Sequence, residues 1–354
     1  MFISLRPQST LGFESQLNDL FLQLSIQLKT QQLDAHHVVC TRLFFSDIIN
    51  QRPLLEAHPL YVECLSYGAV SMIEQPPLDG AKINVLIYLS SDALLQKEGD
   101  ATLRFVSKKG VRHLFHSVRL TSSEIAKLTV KQQTLELFRR HHEVLKKLHL
   151  SMANHCIRTW IYVRDIDHNY ADVVAARNQV FGEYGLSANT HFIASTGIGG
   201  EGADPEIAVC MDFYSVDAPH AKVKYLTAPD YLNATMEYGV AFERGTSLTI
   251  AGKTRLFISG TASIDKHGEC LHRGKVEKQL DRLFLNINQL LKDGGSSLAD
   301  VEHLLVYIRD IADYQVVANY LHTNYSSLPT VILLARVCRP EWLVEIECTA
   351  SFNL

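Results

Sequence analysis

Gln16-Leu17-Asn18-Asp19-Leu20-Phe21-Leu22 reappears as Gln279-Leu280-Asp281-Arg282-Leu283-Phe284-Leu285. Ser46-Asp47-Ile48 falls in the same register on Arg309-Asp310-Ile311, so one ungapped alignment carries a whole unit twice. A third copy lies between, because Ile161-Tyr162-Val163-Arg164-Asp165-Ile166 matches Val306-Tyr307-Ile308-Arg309-Asp310-Ile311. A repeat on this scale sets the architecture, since each unit has to be stable beside its own copies. Divergence among copies also shows where chemistry was kept: only the last retains a full set of candidate catalytic groups.

The last copy reads most clearly. Arg255-Leu256-Phe257-Ile258-Ser259-Gly260 is strand-like, Lys266-His267-Gly268 makes a turn, and Val276, Leu280, Leu283, Phe284, Ile287, Leu290 and Leu291 recur at helical spacing. After Gly294-Gly295-Ser296-Ser297 come a strand at 304–308, a helix at 314–325 and closing strands at 330–335 and 343–351. The order is β-β-α-β-α-β-β. The middle copy repeats it, and the first has little room for an opening hairpin. The expected units are 1–92 (degenerate), 98–215 and 235–354, with linkers near 92–98 and 216–235. Such a unit covers one sheet face with two helices and leaves the other face in need of a partner, which three units in one chain provide for one another.

With 354 residues, 47% of them hydrophobic, the chain exceeds one typical domain of ~100–200 residues. A formal net charge of −4 and a pI near 6.5 give no basic footprint for nucleic acid, so the expected partner is a small molecule. No apolar run approaches the ~20 residues that span a bilayer, and Met1-Phe2-Ile3-Ser4-Leu5 is interrupted by Arg6-Pro7. The seven cysteines are scattered without a Cys-x-x-Cys pair and predict reduced thiols. A soluble, cytoplasmic protein with no membrane contact is expected.

The unit order resembles the RidA/YjgF family, with its chorismate-mutase-like fold, whose small subunits form trimers with active sites in the clefts between subunits. The resemblance implies an α+β fold of tandem units closing as an intrachain pseudo-trimer, either a monomer or part of a homotrimer. From Arg158 onward the chain further resembles the chorismatases, which hydrolyse or rearrange chorismate with loss of pyruvate. The matching blocks are Arg158-Thr159-Trp160-Ile161-Tyr162-Val163, Ala194-Ser195-Thr196-Gly197-Ile198-Gly199, Tyr238-Gly239 with Phe242-Glu243-Arg244, Leu256-Phe257-Ile258-Ser259-Gly260-Thr261-Ala262, and Cys338-Arg339-Pro340-Glu341-Trp342-Leu343-Val344-Glu345-Ile346-Glu347. Gly260 and Cys338 resemble the subtype that makes 3-hydroxybenzoate, as opposed to a dihydroxycyclohexadiene carboxylate.

Val344-Glu345-Ile346-Glu347 resembles the closing strand of the RidA family, where the first glutamate faces the cleft. Strand alternation puts Glu345 and Glu347 on one face and does not choose between them. The other copies favour Glu345, because Asn84 and Val209 stand where it would sit. Chorismate carries two carboxylates and an enol ether, so its site needs cations and an acid that protonates the enolpyruvyl methylene. Glu345 is the expected acid. Arg177, Arg244 and Arg309 are candidates for the carboxylates, Tyr238 for a ring hydroxyl or carboxylate, and the Thr196-Gly197 backbone for the pocket wall. Cys338 also reads as a small buried hydrophobe, Gly260 as a strand glycine for close packing, and Arg309 and Arg164 as partners of Asp310 and Asp165. No metal or organic cofactor is expected.

Two features are set aside. Gly197-Ile198-Gly199-Gly200-Glu201-Gly202 lacks the context of a phosphate loop and is expected to be a flexible loop at the pocket rim. His141-His142-Glu143 with His149 lacks zinc spacing and is expected on a solvated helix face. The competing functions are a RidA-like enamine/imine deaminase and a non-catalytic small-molecule-binding protein. Deamination would use an arginine two residues after the proline of the penultimate strand, where Pro329-Thr330 is followed here by Val331.

Overall fold

Each repeat folds into its own sheet with helices packed on one face, in a computed structural model that describes residues 1–92, 94–124 and 127–354. The first unit comprises β1 (Phe2–Leu5), α1 (Phe13–Thr30), β2 (Val38–Phe45), α2 (Ile48–Glu56), β3 (Ala69–Glu74) and β4 (Ile83–Leu89), with strand order β1-β4-β2-β3. The second runs β5 (Gln96–Gly99), β6 (Leu103–Lys108), β7 (Val111–Val118), α3 (Val130–Lys147), α4 (Met152–His155), β8 (Cys156–Val163), α5 (Ile166–Glu183), β9 (Ala194–Gly199) and β10 (Val209–Asp217). The third runs β11 (Lys222–Tyr225), β12 (Gly245–Ile250), β13 (Lys253–Thr261), α6 (Val276–Asp293), β14 (Val301–Ile308), α7 (Tyr314–Tyr325), β15 (Thr330–Leu334) and β16 (Val344–Asn353). In every unit the closing strand inserts between the opening strands and a parallel pair joined by a crossover helix.

The tandem α+β architecture is thus as expected, and the first unit has one opening strand in place of a hairpin. The sheets begin earlier than expected. β5 and β11 lie where linkers were placed, because Gln96-Lys97-Glu98-Gly99 and Lys222-Val223-Lys224-Tyr225 are short and charged, the composition of protected edge strands.

The repeated glutamine has a physical reason. Gln16, Gln133 and Gln279 are buried near the starts of α1, α3 and α6, and each side-chain oxygen accepts a backbone N–H at the approach to the closing strand: Lys82 at 2.9 Å, Ala208 at 2.8 Å and Leu343 at 2.9 Å. Without it, that N–H would be left without a protein partner under the helix.

Three seams close the units into a ring. Glu74, at the end of β3, pairs with Glu201; Ile198 of β9 pairs with Val337; Leu333 of β15 pairs with Pro77. Each seam joins the penultimate strand of one unit to the approach to the closing strand of the next, so unit one meets two, two meets three and three meets one. The chain is an intrachain pseudo-trimer. Its centre is charged: Glu347 accepts from Arg158 at 2.7 Å, Arg42 at 2.9 Å and Trp160 Nε1 at 2.8 Å, joining all three units. Among the described residues no helix is long and apolar enough to cross a membrane, and the seven cysteines form no disulfide.

Candidate active site

The seam between units two and three holds a cavity of about 330 Å3. Unit two contributes Tyr170, Val174 and Arg177 from α5 and Ser195, Thr196 and Gly197 from β9. Unit three contributes Tyr238, Phe242 and Arg244 ahead of β12, Gly260 from β13, Cys338, Arg339 and Trp342 from the approach to β16, and Glu345 from β16 itself.

Glu345 and Glu347 share a strand face and end in different environments. Glu347 is consumed at the centre, where Arg158 and Arg42, with Thr196 and Trp160, hold its carboxyl below the usual range although burial alone would raise it. Glu345 is 3% exposed and has no ion-pair partner among the described residues. Burial, reinforced by the charge of Glu347 and only partly opposed by Arg158 and Arg244, raises its pKa to about 8. It is therefore a neutral acid at neutral pH.

The backbone makes room for that acid. β13 carries one extra residue against β16 between Ile258 and Thr261, a bulge at Ser259-Gly260. A Cβ at Gly260 would collide with the Glu345 carboxyl, and the Gly260 N–H donates to Thr196 Oγ1 at 2.9 Å. The Thr196 hydroxyl in turn donates to Glu347, so it supports the site from behind. Gly197 lets Tyr170 approach, since a Cβ there would stand 2.8 Å from the ring. Burial, then Glu345, pushes the Cys338 thiol up to about 12, so it is an uncharged wall group.

Three guanidinium groups surround the cavity. Arg177 is 1% exposed, and its Nε and Nη2 have no hydrogen-bond partner. Arg244 donates to the Asn233 carbonyl at 3.2 Å and to Asn233 Oδ1 at 3.1 Å and lies over the Tyr238 and Phe242 rings. Arg339, unremarked in the sequence although it follows Cys338, lies 5.0 Å from the Tyr238 ring centre and 5.2 Å from that of Trp342. A buried guanidinium with unused donors is the electrostatic counterpart of a carboxylate ligand.

Arg309 is a correction. It does not line the cavity: its Nη2 donates to Asp167 at 2.6 and 2.7 Å and its Nη1 to the Val337 carbonyl at 2.8 Å, fastening the seam. It lies just past β14, over the approach to β16, which turns the side chain away from the cleft. Arg164 does the same in unit two, pairing with Glu201 in place of Asp165. The register also corrects one repeat assignment. Glu345 pairs with Tyr307, Asn84 with Phe44 and Cys210 with Tyr162, so the counterpart in unit two is Cys210 and not Val209. Gly197–Gly199 belong to β9 and not to a rim loop, and Gly199 packs against the Arg336 backbone. His141, expected on a solvated face, is buried, with Nδ1 3.1 Å from His116 and Nε2 2.9 Å from Ser215 Oγ.

Comparison with known proteins bears out the sequence resemblance. The family model described as Endoribonuclease L-PSP matches residues 243–352. A chorismatase of Streptomyces hygroscopicus is 32% identical over 206 residues, covering 54% of this chain and 60% of that protein. A chorismatase of Streptomyces rapamycinicus is 31% identical over 215 residues, covering 54% and 62%. The chain thus spans less than two thirds of the length of the chorismatases it matches in sequence. A RutC family protein of Pyrococcus abyssi is 30% identical over 98 residues, 27% of this chain and 76% of that one. The crystal structure of a chorismatase at 1.08 Å resolution has the same fold, with a TM-score of 0.69 at 20% identity, covering 99% of this chain and 98% of the other.

Proposed function

We propose that this chain, which belongs to the RutC family, is a cytoplasmic, cofactor-independent enzyme that converts chorismate to pyruvate and 3-hydroxybenzoate, with Glu345 as the acid. The observation that carries the reading is a neutral, buried carboxyl at the end of a cavity ringed by Arg177, Arg244 and Arg339. This pairs one proton donor with cations enough for a dicarboxylate. The sequence and fold likeness to proteins named chorismatase points to the same substrate.

In this mechanism the arginines orient the two carboxylates, and Glu345 passes its proton to the methylene carbon of the enolpyruvyl group, generating an oxocarbenium ion. The bond between the ring carbon and the ether oxygen breaks, and its electron pair becomes part of the pyruvate ketone. The neighbouring ring hydroxyl oxygen takes the vacated carbon. Opening of its original bond and loss of a ring proton then give the aromatic product, and that proton restores Glu345. Substrate and products balance with no water consumed. The uncharged Cys338 and the narrow Gly260 bulge suit a cleft that keeps water off the cation, which supports the 3-hydroxybenzoate outcome over the hydrolytic one.

Turnover in D2O tests the proton route. Pyruvate sampled early by NMR should carry one deuterium in its methyl group, and Glu345→Gln should release none. Turnover of comparable rate by Glu345→Gln would remove Glu345 from the mechanism.

A further inference from the structure

The ring has three seams, and the one between units three and one encloses a cavity of about 310 Å3 that the mechanism does not use. There β4 presents Asn84 at the register position that β16 gives to Glu345, and α7, the counterpart of α5, supplies Tyr314, His322 and Tyr325. Asn84 is 4% exposed and lines this cavity, and its Oδ1 has no hydrogen-bond partner. Its amide nitrogen donates to Asp79 Oδ2 at 2.9 Å, which fixes Oδ1 as the unsatisfied acceptor. A buried acceptor of this kind costs about 1–3 kcal/mol when left unpaired. Asp79 adds a carboxylate to the same wall, and Arg6, which has no ion-pair partner among the described residues, supplies a cation to the lining. Tyr314 lies within electrostatic reach of both.

We propose that this cleft is a second ligand site that takes a free amino acid with an apolar side chain. Its ammonium donates to Asn84 Oδ1 and Asp79, its carboxylate meets Arg6, and its side chain rests among Leu5, Leu321 and Val331. A neutral acceptor at the position of the acid cannot deliver a proton, so the site binds without turning its ligand over. The assignment is independent of the reaction proposed for the other cleft.

Titration calorimetry on the full chain tests it, with L-phenylalanine as probe and phenethylamine and 3-phenylpropionate as its two halves. Phenylalanine should bind at least tenfold more tightly than either half. Asn84→Leu should weaken it by tenfold or more while leaving turnover of chorismate unchanged. Arg6→Ala, a change at an exposed residue, should weaken it similarly and serves if Asn84→Leu does not fold. Absence of phenylalanine binding at millimolar concentration, equal affinity for phenethylamine, or undiminished binding in both variants would overturn the site. Because the readout is heat of binding, loss of the chorismate reading would leave this result standing.

Discussion

At the residue scale the two glutamates of one strand face are driven apart by their neighbours. Glu347 is ionised because two guanidinium groups reach it, and Glu345 is neutral because burial disfavours its charged form, Glu347 repels that charge and no guanidinium pairs with it. The first prediction is a pH profile: kcat/KM should fall as pH rises through about 8, when Glu345 in the empty cleft loses its proton. Stability follows the same group. The folded pKa lies above the unfolded value of 4.5, so the native state holds a proton that the unfolded chain releases. The Glu345 contribution therefore favours unfolding increasingly from about pH 4.5 to about pH 8 and is level above that. Relative to the native chain, Glu345→Gln should gain stability between pH 5 and pH 8, on the order of a few kcal/mol, measured by denaturant titration at both values. Gly260→Ala should retain the fold and lose at least tenfold in kcat, because its methyl group displaces the acid; full activity in that variant would show that the bulge is not built around Glu345.

At the element scale the units are held by a few polar contacts that the repeats share. Gln279→Ala strands the Leu343 N–H at the approach to β16 and should cost about 1–3 kcal/mol, seen as a lower urea midpoint. Arg158→Met removes one partner of a fully buried carboxylate and should cost about 3–5 kcal/mol. Much of this level was legible in the sequence. Gln16 and Gln279 stood in the alignment, and the helix stripes and the order of strands followed from apolar spacing. Glu345 stood out from Glu347 because Asn84 replaces it in the first copy, and of the two it is Glu345 that lines the cavity. What the sequence withheld depends on tertiary geometry. The one-residue shift that substitutes Cys210 for Val209 appears only when strand partners are known. The convergence of Arg177 from unit two with Arg244 and Arg339 from unit three is tertiary, so the sequence offered Arg309 and left Arg339 unremarked. β5 and β11 were invisible because solvated edge strands lack an apolar pattern.

At the scale of the whole molecule, ring closure gives the first unit a structural place even though Asn84 stands where the third unit has Glu345. It supplies Arg42 to the central cluster and the segment around Pro77 that caps β15. Removal of residues 1–92 should therefore abolish cooperative unfolding of the remainder and expose apolar surface, detected as dye binding and aggregation. A soluble, cooperative and active remainder would show that the third seam is dispensable. With each sheet face partnered inside the chain, size-exclusion chromatography with light scattering should give a mass near 39.8 kDa, one chain per particle.

The most direct measurement is to incubate the purified chain with chorismate, assay pyruvate and identify the ring product by chromatography, with Glu345→Gln alongside. Pyruvate and 3-hydroxybenzoate in equal amounts, both lost in the variant, are the expected result. A dihydroxycyclohexadiene carboxylate would contradict the roles proposed for Gly260 and Cys338, and absence of pyruvate would contradict the proposed cleavage of chorismate itself.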